Sequence, residues 1–281
     1  MTTPAATKIA VVQMTSGIDP AANAAILTDA IHQSAAAGAA MLFAPEMSGL
    51  IDRDRPRARP HVVSEDANVF VSAARAAARQ AGIWVHIGSV PLAGTDADPR
   101  FRNHSIVIDD QGEVRARYDK IHLFDVDLPT GESWRESSAY APGDAPVVVD
   151  TPLGGLGMTI CYDMRFAGLF DTLGAAGARV IAVPSAFTVP TGQAHWHLLL
   201  RTRAIDQGCF IIAAAQVGTH EDGRETYGHS LVVDPWGRVL LDMGDAPGLG
   251  FAELDWAIQA DTRARLPVLA HRRPLPPVTH G

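Results

Sequence analysis

Three residues with complementary chemistry, Glu46, Lys120 and Cys161, each follow a short segment with strand character. A carboxylate near a thiol can take its proton and act as a general base. A lysine nearby stabilises a thiolate and any oxyanion that forms. A helical pattern after Cys161 also predicts that its thiol faces a helix N-terminus, whose partial positive charge favours a thiolate. The set predicts attack of sulfur on a carbonyl or nitrile carbon, followed by hydrolysis of the covalent intermediate.

Taken one at a time, these residues have simpler interpretations. Glu46 and Lys120 could be solvated charges in loops, and Cys161 could be a small buried hydrophobic side chain. The joint interpretation depends on position. Each group comes at the end of a predicted strand, and Pro45 disfavours helix in the residue before it. Because ligands of α/β sheets bind at the carboxyl ends of strands, we predict one shared cleft that contains all three groups.

Strand-like and helix-like segments alternate along the chain, once from Lys8 and again from about Leu156. Short runs rich in Val and Ile predict strands at Lys8–Gln13, Ala40–Ala44, Ile83–Val90, Ser105–Asp109, Val114–Tyr118, Val147–Asp150, Leu156–Ile160, Val180–Val183, Phe210–Gln216, Ser230–Val233 and Arg238–Asp242. Helices are predicted at Ala21–Ala37, Asn68–Ala81, Phe166–Ala176 and Trp196–Gln207. This order predicts an α/β fold with helices covering mixed sheets. The polar segment His122–Asp144 shows little regular structure, and loops of that length are usually functional or disordered.

The composition is that of an ordinary globular chain, because 47% of the 281 residues are hydrophobic and 19% are charged. We expect a single domain over 1–281 with an extended tail from about Leu266. No apolar run is long enough for a membrane span, and the net charge of −8 argues against nucleic acid as a partner. The N-terminus lacks a secretory pattern. Cys161 and Cys209 provide neither a disulfide framework nor metal-site spacing, so a cytoplasmic location is expected.

Three segments of the chain resemble motifs of the nitrilase (carbon–nitrogen hydrolase) superfamily, namely Phe43–Glu46, Tyr118–Asp125 and Ile160–Phe166. The resemblance extends from about Lys8 to Pro274, which is nearly the whole chain. It implies a four-layer αββα sandwich of two mixed sheets covered by helices, with an active site at strand ends. It also implies a small-molecule amide substrate, water as co-substrate, and neither a metal nor an organic cofactor. Members of the superfamily often form dimers, so a homo-oligomer is expected.

The resemblance also implies roles for individual residues. Glu46 would be the general base and Cys161 the nucleophile, while Lys120 and the backbone N–H of Tyr162 would form the oxyanion hole. The superfamily has a further acidic residue in the loop after the lysine. Glu136 matches it and would orient Lys120 or the substrate amide.

Within the superfamily the chain is similar to the subgroup of deaminated glutathione amidases and omega-amidases. The similarity lies in Pro184–Phe187, Ala194–Trp196, Leu200–Ile205, Tyr227–Ser230, Val233–Gly237 and Leu266–Pro274. The stretch Ala213–Gly218 favours the deaminated glutathione enzyme, whereas Ala167 and Gly168 depart from the Pro-Glu or Ala-Glu of the subgroup. We predict a cysteine-dependent amidase for deaminated glutathione that forms a thioester intermediate. The alternatives are an omega-amidase for 2-oxoglutaramate, a nitrilase or N-carbamoyl amide hydrolase, and a silent scaffold that binds a partner protein.

Four further residues are predicted to bind substrate: Tyr162, Arg165, Phe187 and His195. Arg165 follows Cys161 by one helical turn if a helix begins there, and could hold a substrate carboxylate or form a salt bridge within the helix. His195 is expected near the pocket mouth. It forms no metal pair with His197, because residues two apart on a helix face different directions. Arginines at positions 53, 55, 57 and 59 are interpreted as solvated charges, or else as a lid that attracts carboxylates.

Overall fold

The computed structural model describes residues 6–127, 131 and 133–279. Seven strands form the first sheet, in the order β17-β1-β2-β3-β5-β4 with β6 paired to β5. Their bounds are β1 Ala6–Gln13, β2 Met41–Phe43, β3 Trp84–His86, β4 Val90–Leu92, β5 Arg102–Ile108, β6 Val114–Asp119 and β17 Gly248–Asp255. The pairs β1–β2 and β2–β3 are parallel and the others are antiparallel. This sheet is mixed, as predicted.

Six strands form the second sheet, in the order β16-β15-β12-β11-β10-β9. Their bounds are β9 Val147–Thr151, β10 Gly154–Met158, β11 Val180–Ala182, β12 Phe210–Ala213, β15 Leu231–Val233 and β16 Val239–Asp242. Two separate hairpins pair β7 Asp125–Asp127 with β8 Ser133–Arg135, and β13 Val217–Thr219 with β14 Glu225–Tyr227. Both hairpins carry residues that line the cavity described below.

The helices are α1 Pro20–Ala36, α2 Arg55–Ala58, α3 Val69–Ala81, α4 Ala167–Ala175, α5 Val189–Gln207, α6 Trp256–Arg265 and α7 Val268–His271. Capping residues define several of their ends. The Asp19 carboxylate accepts the Ala21 N–H at the start of α1, and Pro20 occupies the first turn. Gly82 and Gly208 end α3 and α5 in the left-handed conformation that glycine adopts without strain. Among the described residues, no helix is both long and apolar enough to cross a membrane.

Side-chain alternation along the strands produces the layers. In β1, Ile9 and Val11 join the apolar cluster that contains the strands of the second sheet, whereas Ala10 and Val12 pack in the cluster of α1 and α3. Helices α4 and α5 add Phe170, Leu173, Trp196, Leu200 and Ala204 to the cluster of the second sheet. The layers are therefore helix, sheet, sheet and helix, which confirms the predicted α/β sandwich.

Several local predictions were wrong. Cys161 begins a 3₁₀ turn that ends at Arg165 and not an α-helix, whereas the helix predicted at Phe166–Ala176 is present as α4 at Ala167–Ala175. The segment from His122 to Asp144 contains β7, β8 and a 3₁₀ turn, although 128–130 and 132 of this segment lie outside the described residues. Helix α5 begins at Val189 because Pro190 supports its first turn, which is earlier than the predicted start at Trp196.

Candidate active site

One cavity of about 580 Å³ lies where β2, β6 and β10 end. Glu46, Lys120, Glu136 and Cys161 all line it, together with residues of the hairpins and of the 53–62 segment. The structure thus brings together four residues that are far apart in the sequence. The volume falls in the range of pockets that enclose small organic ligands.

Glu46 is the most heavily contacted group of this cluster. Its Oε1 accepts hydrogen bonds from Lys120 Nζ and Asn103 Nδ2, both at 2.9 Å, and its Oε2 accepts the Ala186 N–H at 2.8 Å. The thiol of Cys161 is close enough to lower the pKa of Glu46 as well. Burial alone raises the pKa of Glu46, but the charge of Lys120 and these hydrogen bonds outweigh it and hold the pKa below its ordinary value. The carboxylate is therefore ionised and available as a base at neutral pH.

Lys120 lies between two carboxylates. Its Nζ is 2.9 Å from Glu46 Oε1 and 2.9 Å from Glu136 Oε2, and the residue is only 2% exposed. Glu136 is in turn held by the backbone N–H of Phe124 at 2.7 Å. Burial lowers the pKa of Lys120, but the charges of Glu136 and Glu46 raise it by more than burial lowers it. The pKa of Lys120 is therefore well above its ordinary value. The site therefore keeps a fixed ammonium beside the thiol.

Cys161 adopts a backbone conformation that is rare for a residue with a side chain, with a φ of 47°. Its N–H donates to the carbonyl of Pro184 at 2.9 Å. Burial and the charge of Glu46 raise the pKa of Cys161 well above its ordinary value, and the charge of Lys120 only partly opposes them. The expectation of a thiolate at a helix N-terminus was therefore wrong, because a 3₁₀ turn and not an α-helix begins at Cys161, and the raised pKa favours the neutral thiol.

The buried carboxylate of Asp163 connects the Cys161 turn to the Lys120 loop. It accepts the Ile160 N–H at 2.9 Å on one side, and the Tyr118 hydroxyl at 2.6 Å and the His122 N–H at 3.0 Å on the other. The His122 ring adds a contact of 2.7 Å. Because Tyr118 and His122 flank Lys120 by two residues on either side, this network sets the position of the ammonium relative to the sulfur.

The profile of one protein family, described as carbon-nitrogen hydrolase, matches residues 8–264. The chain belongs to the carbon-nitrogen hydrolase family. This result confirms the resemblance to the nitrilase superfamily that the three motifs indicated.

Relatives of known name are consistent with this assignment. The chain is 40% identical to a deaminated glutathione amidase of Yersinia enterocolitica, over 94% of this chain and 92% of that protein. Its structure is similar to the Caenorhabditis elegans NitFhit protein, with a TM-score of 0.88 and 37% identity over 97% of this chain and 66% of that one. It is also similar to a variant of the amidase from Nesterenkonia sp. AN1, in which the acetamide moiety of fluoroacetamide is attached to the active-site cysteine. Here the TM-score is 0.79, with 28% identity over 95% of this chain and 94% of that one. This carbon-nitrogen hydrolase is therefore a hydrolase that acts on amides.

The residues predicted to bind substrate in this carbon-nitrogen hydrolase lie in two places. Tyr162 and Phe187 line the cavity. Arg165 and His195 are not among the lining residues and contact each other, with 3.2 Å between Arg165 Nη2 and His195 Nδ1. The Arg165 guanidinium also lies over the rings of Tyr162 and Phe187, at 5.9 and 5.6 Å. The Arg165 guanidinium thus packs against two rings that line the cavity, without lining the cavity itself.

Two other residues weighed from the sequence lie outside the cavity. His197 Nε2 and His229 Nδ1 each contact one oxygen of Asp242 at 2.9 Å, and the three potential ligand atoms lie within 4.8 Å of one another. Each of these ring nitrogens already has the carboxylate as its partner, so the cluster connects α5 to the second sheet.

Cys209 also lies outside the cavity. It is fully buried, and burial raises its pKa to about 12.

Sequence reasoning missed three residues of this carbon-nitrogen hydrolase site. Asn103 bridges Glu46 and Glu136 from the second residue of β5, where nothing in the local sequence distinguishes it. Asp163 lies inside a recognised motif, but its partners come from a distant strand. Arg224 lines the cavity from the turn between β13 and β14, a hairpin that the sequence pattern did not predict.

Proposed function

We propose that the protein hydrolyses the amide bond of a small carboxylated substrate through a thioester on Cys161, and that deaminated glutathione is the preferred substrate. One observation carries the proposal: Glu46, Lys120 and Cys161 line one cavity, where the Glu46 carboxylate accepts a hydrogen bond from the Lys120 ammonium at 2.9 Å. The name of the Yersinia enterocolitica relative supports the choice of substrate. The adduct on the cysteine of the Nesterenkonia amidase variant supports the choice of nucleophile.

Acylation begins with proton transfer, because the thiol is protonated in the free protein. Glu46 accepts the proton as the sulfur attacks the amide carbon, and the carbonyl electron pair moves to oxygen. Lys120 Nζ and the backbone N–H of Tyr162 stabilise the resulting oxyanion. Glu46 then donates the proton to the nitrogen as the carbon–nitrogen bond breaks, which leaves a thioester and a free amine.

Deacylation repeats the same proton transfers with water as the nucleophile. Glu46 accepts a proton from water as the oxygen attacks the thioester carbon, and the same two donors stabilise the second oxyanion. The carbon–sulfur bond breaks, the carboxylic acid product forms, and the sulfur regains its proton from Glu46. Acylation and deacylation both need the positive charge of Lys120. Its raised pKa keeps Lys120 cationic in both steps.

The charges of the cavity wall support a carboxylated substrate. In the described part of the chain, five cationic residues line the cavity, compared with four acidic ones. The cationic residues are Arg53, Arg55, Lys120, Arg135 and Arg224, and the acidic residues are Glu46, Asp52, Glu136 and Glu225. We propose that Tyr162 and Phe187 form the apolar walls beside the scissile amide. The binding roles of Arg165 and His195 stay predictions, since a direct contact with substrate requires Arg165 to leave its present place behind the wall.

A substrate panel with one active-site variant tests this function. Ammonia or amine release is measured for deaminated glutathione, 2-oxoglutaramate, an aliphatic nitrile and an N-carbamoyl amino acid. We expect the highest kcat/KM for deaminated glutathione, and we expect Cys161→Ala to lower it roughly 10⁴-fold or more while the protein stays folded. The matched variant Cys209→Ala should keep its activity. Turnover by Cys161→Ala at the wild-type rate would refute the mechanism, and a preference for the nitrile or carbamoyl compound would refute the substrate.

We also propose that the chain acts as one domain and as a homodimer in a reducing cytoplasm, where both cysteines stay free. Leu198 and Ile205 project from α5 into solvent with 67% and 46% exposure, and Leu240 of β16 is also exposed. Apolar side chains of this kind on neighbouring elements are typical of an interface. Light scattering coupled to size exclusion measures the mass, and a monomer at micromolar concentration would contradict the dimer.

A further inference from the structure

Two buried nitrogen donors in the cavity wall have no acceptor among the residues that the structure describes. They are Nε1 of Trp134 and Nε of Arg224. The guanidinium carbon of Arg224 lies 5.0 Å from the centroid of the Trp134 ring, so both donors belong to the same part of the wall. Buried donors are almost always paired, because an unpaired one loses its hydration without compensation. Two neighbouring unpaired donors therefore indicate a ligand that supplies the acceptor.

The charge of Arg224 indicates that this acceptor is anionic. Its side chain is 19% exposed, compared with 55% for Arg53. The carboxylate of Asp222 lies 3.6 Å from Arg224 Nη2, which is longer than a hydrogen bond, and it accepts the Arg53 N–H at 2.8 Å. Asp222 thus orients one edge of the guanidinium and leaves Nε–H for another partner. A carboxylate is the group that best matches a guanidinium with a free edge.

Of the other arginines that line the cavity, Arg55 and Arg135 already have partners, and the Arg53 side chain is 55% exposed to solvent. Arg55 donates to the Ser138 hydroxyl at 2.7 Å, and Arg135 forms a two-point contact with Asp127 at 2.9 Å. Among the arginines that line the cavity, Arg224 is the one with a buried donor that lacks an acceptor in the described part of the chain. This difference selects Arg224, and not the general positive charge of the cavity, as the recognition element.

An aromatic wall separates Arg224 from the nucleophile. The ring of Tyr162, next to Cys161, lies 5.1 Å from that of Phe124, and the Phe124 ring lies 6.2 Å from that of Trp134. Arg224 follows as the third contact of this series. The group that it binds therefore lies several bonds from the carbonyl under attack. A leaving group of two amino-acid residues reaches about 7 Å when extended, which places its terminal carboxylate well away from the scissile bond.

We propose that Arg224 and Trp134 form a subsite for the terminal carboxylate of the leaving group. The inference rests on the proposed function and identifies the part of the substrate that the enzyme recognises away from the reaction. The Arg224 guanidinium and the Trp134 indole N–H donate to the carboxylate oxygens, and the Trp134 ring stacks against the cation. Both residues determine specificity and take no part in bond breaking.

A matched pair of substrates isolates this carboxylate. Deaminated glutathione and its C-terminal glycinamide differ only in the group that the subsite binds. Arg224→Met should raise KM for the free acid about 100-fold, with kcat changed less than about threefold and the glycinamide nearly unaffected. Trp134→Phe keeps the ring and removes one donor, so a smaller rise of about fivefold is expected. Arg265→Met, at a surface pair with Asp261, is the control and should change neither substrate.

Two outcomes would overturn the subsite: an equal loss on both substrates, or no loss on either. If the wild-type enzyme hydrolyses neither compound, the proposed function fails, and binding replaces turnover as the test of the subsite. Cysteinylglycine and its amide are then titrated by calorimetry into the wild type and into Arg224→Met. Tighter binding of the free acid that disappears in the variant supports the subsite, and equal affinity for both ligands contradicts it.

Discussion

The two parts of the cavity differ in how completely their polar groups are paired. At the catalytic end, both oxygens of Glu46 are occupied, and Lys120 contacts two carboxylates. At the far wall, Trp134 and Arg224 present buried donors without acceptors in the described part of the chain. The groups around Glu46 and Lys120 are thus paired before substrate binds, whereas in our proposal the donors of Trp134 and Arg224 are paired only when substrate binds. This division follows from physics, because proton transfer needs fixed distances before the reaction and a binding subsite needs a free donor.

The paired end keeps its charges despite burial. Lys120 stays cationic because two carboxylates compensate its lost hydration, and Glu46 stays anionic because the ammonium, Asn103 Nδ2 and the Ala186 N–H all donate to it. Cys161, by contrast, stays neutral, because burial beside a carboxylate disfavours a second negative charge. In the proposed mechanism, Glu46 is therefore a base beside a neutral thiol, and the proton is transferred only when a substrate carbonyl is bound.

Of the variants that compare the two parts of the cavity, the largest change in stability and kcat is expected from Asp163→Asn, which disturbs the contacts around Lys120 and Cys161 and leaves those of Trp134 and Arg224 intact. An amide cannot accept all the donors that the carboxylate accepts, so one amide N–H would face the Ile160 N–H or the Tyr118 hydroxyl. We expect a loss of about 2–4 kcal/mol in the free energy of unfolding. The Lys120 and Cys161 loops should loosen relative to each other, which lowers kcat about 10- to 100-fold.

Substrate selectivity separates this effect from that of the far wall. Asp163→Asn should lower kcat equally for the free acid and the glycinamide, whereas Arg224→Met should discriminate between them. Tyr118→Phe removes one donor and serves if the first variant does not fold. Asp234→Asn is the matched control, because Asp234 is equally buried and caps the remote turn before β16. An unchanged kcat in a folded Asp163→Asn protein would show that this network does not position the reacting groups.

The sequence predicted the catalytic end better than the far wall. Glu46, Lys120 and Cys161 follow strands whose ends meet at one edge of the sandwich, so strand patterns and strand order suffice to bring them together. Glu136 was found only through the resemblance to a family, because a polar loop has no pattern that indicates its direction. Asn103 could not be found, since its two carboxylate partners come from separate loops.

The far wall depends on contacts between two short hairpins that carry weak local signals. Trp134 lies in β8 and Arg224 in the turn before β14, and strands of three residues are too short to show a clear alternation. The protonated thiol was likewise unpredictable, because the pKa of Cys161 depends on its burial and on the nearby charge of Glu46. Sequence patterns report which residues follow strands, and only the folded chain reports which charges face one another.

The buried imidazole of His86 should make the stability of the protein depend on pH. Its Nε2 contacts Ser105 at 2.9 Å, whereas Nδ1 has no partner among the described residues. Burial without a compensating charge lowers the pKa of His86 to about 3, the opposite of what paired burial does to Lys120. Between pH 6.5 and about 3 the unfolded chain binds a proton that the folded chain refuses, so stability is lost as pH falls.

This single histidine should contribute a slope of about 1.4 kcal/mol per pH unit across that window. Glu46 adds to the loss in acid, because its lowered pKa acts in the same direction. Denaturant unfolding of the wild type and His86→Gln at pH 7, 5.5 and 4 measures the His86 part. The glutamine variant cannot take up the proton, so its stability should fall less steeply with acid, while His32→Gln on α1 provides the control. Parallel curves for the wild type and His86→Gln would mean that His86 is not held neutral in the fold. Burial without a partner would then affect the pKa of a group less than the contacts of His86 indicate.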